Sequence, residues 1–508
     1  MITSLSLPPF NYFLFNFITF TLFFIFLFKK LKSQKKTKYF FFYGWLFGFG
    51  YFVTNLYWIS ISLTFDQNFG FLIPLTIILI PAFLALFYGL ASYLLMIFKT
   101  KEVVIIFLIY SISFAILEYI RGTIFTGFPW NLIAYSFLNQ LEILSIVSLI
   151  GTYGFNLFCI SLFSSPALLI LRNSNKEIII FIFFLASLII FYLYGSYNEK
   201  KFHTAKIIEH EYKVRAIGSN ISLDRFYNDA NPISVIEELI DISDPNFDEK
   251  TIFIWPEGII PDIFQNEFVK YKWLFEERFN NNHLLVIGIN SRDIVNNFTN
   301  YFNTFSMYDN ELNLLDSYNK INLVPFGEFI PFENLLSHFG LKSITNNYQS
   351  YTKGNHRNII EIKKKNFSLR ILPLICYEII YSGKIYNEDN FDLIINISED
   401  GWFGKSIGPK QHFAHSIFRS IESGKYIIRA ANNGTSAIIN PIGMIEKSLD
   451  LNKNGYLDFT ESKKIQPTVF SKFGNKIFVI LILLYIFLIF SISFINSFNR
   501  TATVFKNK

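Results

Sequence analysis

Three segments deliver chemistry-bearing side chains at the ends of apolar runs. TIFIWPE (251–257) ends on Glu257, YNKINLVPFGEFIP (318–331) carries Lys320 and Glu328, and FSLRILPLICYE (367–378) ends on Cys376, Tyr377 and Glu378. Rigid strands that present charged or nucleophilic groups at their ends are a common way to hold a site in shape. An ordinary thiol ionises near pH 8.5, so only about a few per cent is thiolate at pH 7 and a base must activate it. A partly buried glutamate can take that proton. A lysine ammonium can face the oxyanion formed when the thiol adds to an acyl carbonyl, and it also steadies the thiolate. Glu257, Lys320 and Cys376 together suit acyl transfer through a thioester. Residue types alone leave plainer readings open: Cys376 as a small core residue, and Glu257 with Lys320 as a simple ion pair.

These residues need elements to position them. TIFIWPE, HLLVIGIN (283–290), FSLRILPLICYE and FDLIINIS (391–398) read as buried strands. Pro409 to Gly424 has helical spacing with proline at its start and glycine at its end. YIIRAANNGTSAIINPIG (426–443) reads as two strands around an Asn-Asn-Gly turn. Strands mixed with helices over residues 200–472 predict a layered α/β domain with its own core. His283, His412 and His415 lack a metal-ligand pattern, so neither a metal nor a cofactor is implied. Two cysteines, with Cys159 inside an apolar run, predict free thiols and not a disulfide framework.

The remainder is membrane-like. The chain is 51% hydrophobic and 17% charged, against about 25% charged in soluble domains, which excludes a fully soluble protein. The polar 200–472 region in turn excludes a pure transporter. The charge excess of +6 gathers near membrane edges and does not imply nucleic acid. A span needs about 20 apolar residues. Six runs fit in the N-terminal region 1–199, at 10–28, 39–61, 71–98, 103–120, 138–171 and 177–195, and a seventh at 475–497 lies in the C-terminal region 473–508. The 138–171 run is long enough for a tilted or broken helix. The first run has no basic stretch before it and no small-residue cleavage site after it, so a retained anchor is expected. The basic segments KKLKSQKKTK, KTKE, LRNSNK and the tail NRTATVFKNK all fall on one side if the spans alternate, which makes that side cytoplasmic and puts the 200–472 domain outside. Glu118 and Arg121, three apart near the outer end of the fourth run, can pair on one helix face.

WPE, then NK…LVPFGEF.P, then CYE resembles the nitrilase (carbon–nitrogen hydrolase) superfamily. TGFPWN (126–131), ICYEII (375–380), GWFGKSIGPKQHF (401–413) and RAANNGTSAIINPIG (429–443) further resemble the apolipoprotein N-acyltransferases of bacterial envelopes, over essentially the whole chain. The resemblance implies a helical transmembrane bundle plus a nitrilase-like α-β-β-α sandwich outside the cytoplasmic membrane. It implies that Glu257 is the general base, Lys320 the oxyanion-side cation and Cys376 the nucleophile, with Glu328, Tyr377 and Glu378 in support. It also implies substrate-binding roles for Trp402 and Trp130, a phospholipid acyl donor, a diacylated apolipoprotein acceptor, and a place in the bacterial inner membrane; the sequence leaves the oligomeric state open, with a monomer the expectation. Three departures stand out: seven spans where the family has eight, Glu399 in SED (398–400) where asparagine is more usual, and Tyr227 where tryptophan is common. A membrane-anchored amidase acting on a small amide, or an inactive scaffold domain, are the competing classes.

Overall fold

The computed structural model describes residues 1–506 apart from 34–37, 66, 99, 101, 227–229, 296–297, 332–349, 365–366 and 384–389. Tyr227 lies outside the described residues. Among those described, seven helices are long and apolar enough to cross a membrane: Leu14–Ser33, Lys38–Thr64, Phe69–Leu94, Val103–Arg121, Val147–Ile170, Asn175–His203 and Lys476–Asn496. They match the seven apolar runs, and the fifth is broken, one of the two forms its length allowed. A 3-10 turn, Ile133–Phe137, precedes the 138–171 run; within it a short helical turn occupies Leu141–Leu144 and the helix proper starts at Val147. Inside it Gly151 adopts φ +70° and ψ 172°, a region open essentially to glycine alone. Phe470 packs so closely there that a β-carbon on Gly151 would lie 2.0 Å from its ring.

The polar region forms two six-stranded sheets. The strands are β1 (Ile207–Gly218), β2 (Thr251–Ile254), β3 (His283–Val295), β4 (Phe298–Asp309), β5 (Leu314–Asn319), β6 (Ile360–Lys364), β7 (Phe367–Ile375), β8 (Leu393–Glu399), β9 (Tyr426–Asn432), β10 (Ser436–Ile439), β11 (Ile445–Leu449) and β12 (Gly455–Lys463). One sheet runs β12-β1-β2-β3-β4-β5 and the other β11-β10-β9-β8-β7-β6. The centres are parallel, β1–β2–β3 in one and β7–β8–β9 in the other, and the flanks are antiparallel. Parallel strands covered on both faces need apolar residues throughout, which is why TIFI, LIINISE and YIIRAAN are buried along their whole length.

Burial divides into layers. Val214, Ile252, Val286, Ile371, Ile395 and Ile428 fill the space between the sheets. Phe253, Leu285 and Ile287 face the helix Pro232–Ser243 on the outside of the first sheet. Leu374, Ile394 and Ile427 face the helix Gly408–Ser423 on the outside of the second, in a core that continues without a break into the membrane bundle. Glycine ends that helix as expected, with Gly424 at φ +64°. The result is an α-β-β-α sandwich seated on the helical bundle.

Two strand ends are shorter than the sequence pattern suggests. β2 stops at Ile254, leaving Glu257 on the following turn, and β7 stops at Ile375. Cys376 therefore opens a 3-10 turn, Cys376–Ile380, instead of closing a strand.

Candidate active site

The parallel strands of both sheets end on the same side. Ile375 pairs with Ile397 and Glu399 with Asn432, so the ends of β7, β8 and β9 are level, while a bridge from Ser219 to Asn432 joins the end of β1 to the second sheet. Side chains leaving β2, β5 and β7 converge on this common edge.

Lys320 stands at its centre, 1% exposed, with its Nζ donating to Glu328 Oε1 at 2.9 Å and to Glu257 Oε1 at 3.1 Å. Asn303 Nδ2 donates to the same two oxygens, at 2.7 Å for Glu257 and 2.8 Å for Glu328. The second oxygen of each carboxylate takes a main-chain N–H: Glu399 on Glu257 Oε2 at 3.0 Å, and Val324 on Glu328 Oε2 at 2.8 Å. Burial works against the Lys320 ammonium, but the two carboxylates more than offset it and hold the lysine well above its usual range. The site thus holds a fixed cation at neutral pH.

Cys376 is half-buried and has φ +47°, a left-handed conformation that a residue with a side chain adopts only when its surroundings enforce it. Two buried groups supply that enforcement. Glu378 accepts from the Ile375 N–H at 3.0 Å, from the Tyr318 hydroxyl at 2.6 Å, from the Ile321 N–H at 3.1 Å and from Arg357 Nη2 at 2.8 Å. It therefore ties the cysteine turn to the segment that carries Lys320. Burial alone would raise its pKa, but Arg357 and these donors keep it below the usual carboxylate range. From the other side, His412 Nε2 lies 3.3 Å from the Cys376 carbonyl oxygen, and its Nδ1 lies 2.9 Å from Asp400 Oδ1. Arg429 closes that chain, donating to Asp400 Oδ2 at 2.6 Å.

Burial, then the nearby Glu257 carboxylate, push the Cys376 thiol well above its ordinary range, against a smaller pull downward from Lys320. The resting group is a neutral thiol. It needs a base at the moment of attack, and Glu257 is near enough to shift it electrostatically.

The other expected residues fall into place differently. Tyr377 reaches away from the site, its hydroxyl donating to the Gly127 carbonyl at 3.0 Å, and Tyr381 donates to Thr126 at 2.9 Å. Both fasten the TGFPWN loop to the cysteine turn. Trp130, 1% exposed, donates its indole N–H to Gln411 Oε1 at 2.9 Å and stacks on His412 at 5.6 Å. Trp402 is half-buried, stacked on Phe226 at 5.7 Å and set edge-on to Phe65 at 5.8 Å. Arg121 and Glu118 pair within one helix face, and Arg121 Nη1 also donates to the Phe128 carbonyl at 2.5 Å. That pair braces the TGFPWN loop from inside. Asn303, Arg357, Asp400, His412 and Arg429 are the participants that sequence patterns did not single out. Asn303 and Arg357 lie outside every quoted motif, while Asp400, His412 and Arg429 lie inside SED, GWFGKSIGPKQHF and RAANNGTSAIINPIG, where the sequence did not mark them individually as part of the site. Among the described residues, no group of three His, Cys, Asp or Glu side chains is arranged to hold a metal ion.

A two-sheet sandwich with helices outside and polar side chains gathered at one edge defines a carbon–nitrogen hydrolase domain, and residues 246–460 match the family described as Carbon-nitrogen hydrolase. Residues 1–165 match the family described as Apolipoprotein N-acyltransferase N-terminal domain. The chain is similar to the apolipoprotein N-acyltransferase of Rhodopseudomonas palustris, 31% identical with 88% of this chain and 84% of that one covered. It is likewise similar to those of Rhizobium leguminosarum bv. trifolii (32%; 90% and 87%) and Rickettsia prowazekii (33%; 85% and 86%). The chain belongs to the apolipoprotein N-acyltransferase family, as an acyltransferase built on a nitrilase-type sandwich with membrane-spanning helices.

Proposed function

We propose that Cys376 carries a fatty acyl chain from a phospholipid to the α-amino group of the N-terminal diacylglyceryl-cysteine of an apolipoprotein. The observation that carries this reading is the buried Lys320 ammonium shared by two carboxylates next to a thiol on a left-handed turn. Glu257 takes the thiol proton as the Cys376 sulfur adds to the ester carbonyl. Lys320 faces the oxyanion. The ester C–O bond then breaks, Glu257 returns the proton to the departing alkoxide, and a lysophospholipid leaves a thioester on Cys376. In the second half the acceptor amine adds to the thioester carbonyl while Glu257 takes its proton. The C–S bond breaks, the thiolate recovers that proton, and an amide remains.

Glu328 orients Lys320, and Glu378 and Tyr377 hold the turn. Trp402 borders the approach used by the lipid, and Trp130 sets the position of the loop beneath it. Both substrates are anchored in lipid, which fits a site seated on a membrane bundle. Basic segments around Lys29–Lys32, Arg172–Lys176 and the C-terminal tail favour a cytoplasmic location for those loops, and so an outer, periplasmic location for the sandwich. Mass spectrometry of the purified protein after incubation with phospholipid tests the chemistry. An acyl adduct on Cys376 that disappears on adding a diacylated lipopeptide, as triacylated peptide appears, is the expected result. A folded protein that never acquires the adduct overturns the thioester route, and turnover of a soluble amide without lipid points to an amidase.

A further inference from the structure

Glu399 is a second carboxylate at the site, one residue past Ser398 at the end of β8, and its main-chain N–H donates to Glu257 Oε2 at 3.0 Å. Its side chain is buried, so its charge needs a partner. Arg225 supplies one. From the loop after β1, its Nη2 reaches Glu399 Oε2, with the two side chains 2% and 3% exposed. The same nitrogen lies 3.3 Å from the carbonyl oxygen of Gly258, the residue after Glu257, while Nη1 donates to Ser222 at 3.0 Å. Asn432, at the end of β9, completes the set by donating to Glu399 Oε2 at 2.8 Å. One guanidinium therefore joins the turn carrying Glu257, the strand end that donates to Glu257, and the loop between β1 and the helix Pro232–Ser243. It also lies 4.2 Å over the ring of Phe226, which itself stacks on Trp402.

We propose that Arg225 and Glu399 form a positioning clamp for Glu257, an inference that rests on the reading of Glu257 as the base. The pair holds the Glu399 N–H on Glu257 Oε2 and keeps the second carboxylate neutralised. It acts through Glu257 and touches neither substrate. The negative charge of Glu399 is thereby one half of a buried pair whose other half is Arg225. Gly258, at φ +54°, lets the Glu257 turn come close enough to be held.

The test uses the full chain in lipid nanodiscs, with single-turnover acylation of Cys376 by phospholipid followed by intact mass. Arg225→Gln leaves Glu399 buried without a cation and is expected to slow acylation at saturating phospholipid at least about tenfold, because breaking one side of a buried pair is far costlier than replacing both. The phospholipid concentration for half-saturation should move much less. Arg225→Lys, which keeps the charge and loses the fork, should fall between the two. Arg225→Gln combined with Glu399→Gln should recover most of the lost rate, the non-additivity expected of groups in contact. An Arg225→Gln protein that acylates at the parental rate overturns the clamp, as does a double variant no faster than the single one. A change confined to half-saturation would show that Arg225 serves lipid binding alone, and this too overturns it. If the parental protein forms no thioester, the failure lies with the proposed function and not with the clamp.

Discussion

Replacing Lys320 by methionine removes the one cation between Glu257 and Glu328 while keeping most of the side-chain volume. The charge of this trio goes from −1 to −2, and both carboxylate oxygens remain on the single amide of Asn303, 2.7 and 2.8 Å away. At an effective dielectric of about 20, each ammonium–carboxylate contact near 3 Å has a gross attraction of about 5 kcal/mol. Desolvation of a 1% exposed lysine offsets much of that, so the expected net loss is the about 3–5 kcal/mol typical of breaking a buried pair. Loss of an oxyanion partner should separately slow acylation about 100- to 1,000-fold. The two losses are read separately, one as an unfolding midpoint and the other as a rate. In the parent, Lys320 is held above its ordinary value of 10.5. Its contribution is therefore complete at neutral pH and is lost only as pH climbs through the elevated value. Unfolding midpoints of detergent-solubilised parent and variant at pH 5 and pH 8, with Cys376 acylation measured by intact mass, separate the effects. A Lys320→Met protein that unfolds like the parent at both pH values, or acylates within tenfold of it, would refute this account of the charge trio.

The raised Cys376 thiol predicts slow alkylation by iodoacetamide at pH 7 that accelerates only well above the ordinary thiol range; rapid labelling at pH 7 would contradict a neutral resting thiol. Gly151→Ala places a side chain in a glycine-only conformation and against Phe470, so a loss of about 1–3 kcal/mol or more in thermal stability is expected, and an unchanged midpoint would argue against the break at that residue. Gln411→Leu strips the acceptor shared by the buried indole N–H groups of Trp58 and Trp130, at 3.2 and 2.9 Å, and should cost about 1–3 kcal/mol for each orphaned donor, read in the same unfolding assay.

Apolar runs and buried strands were readable from sequence because both obey simple periodicities: seven spans and the main buried strands lie where hydrophobicity puts them, with ends displaced by up to nine residues, at the start of the fifth span. Glu257 and Cys376 were readable because each follows a buried strand, and Lys320 and Glu328 because they share the recognisable segment YNKINLVPFGEFIP. Their mutual distances were not, since they depend on two sheets ending level. The length of the 138–171 run allowed for a broken helix, but the position of the break did not show, because its packing partner Phe470 lies 319 residues away from Gly151. Asp400, His412 and Arg429 escaped for a related reason. A buried polar chain is assembled from a turn, a helix and a strand, and the quoted segments that hold its members do not show that these three side chains meet. Glu399 was visible only as an added charge, and its meaning depends on Arg225, 174 residues earlier.

The helix Gly408–Ser423 is covered on two sides. Its Ile417, Phe418 and Ile421 belong to the core that links the second sheet with the bundle, and Glu422 accepts from the main-chain N–H and hydroxyl of Thr152, beside the Gly151 break. Arg419 pairs with Glu422 at 2.9 Å, with both side chains fully buried. Sandwich and bundle are consequently not interchangeable parts. A chimera joining this sandwich to another relative's spans would have to match a buried charge pair and an apolar seam, however generous the linker. Inheritance of the two halves is accordingly coupled through that helix, and compensating changes are to be sought across the seam before they are sought in the connecting loops.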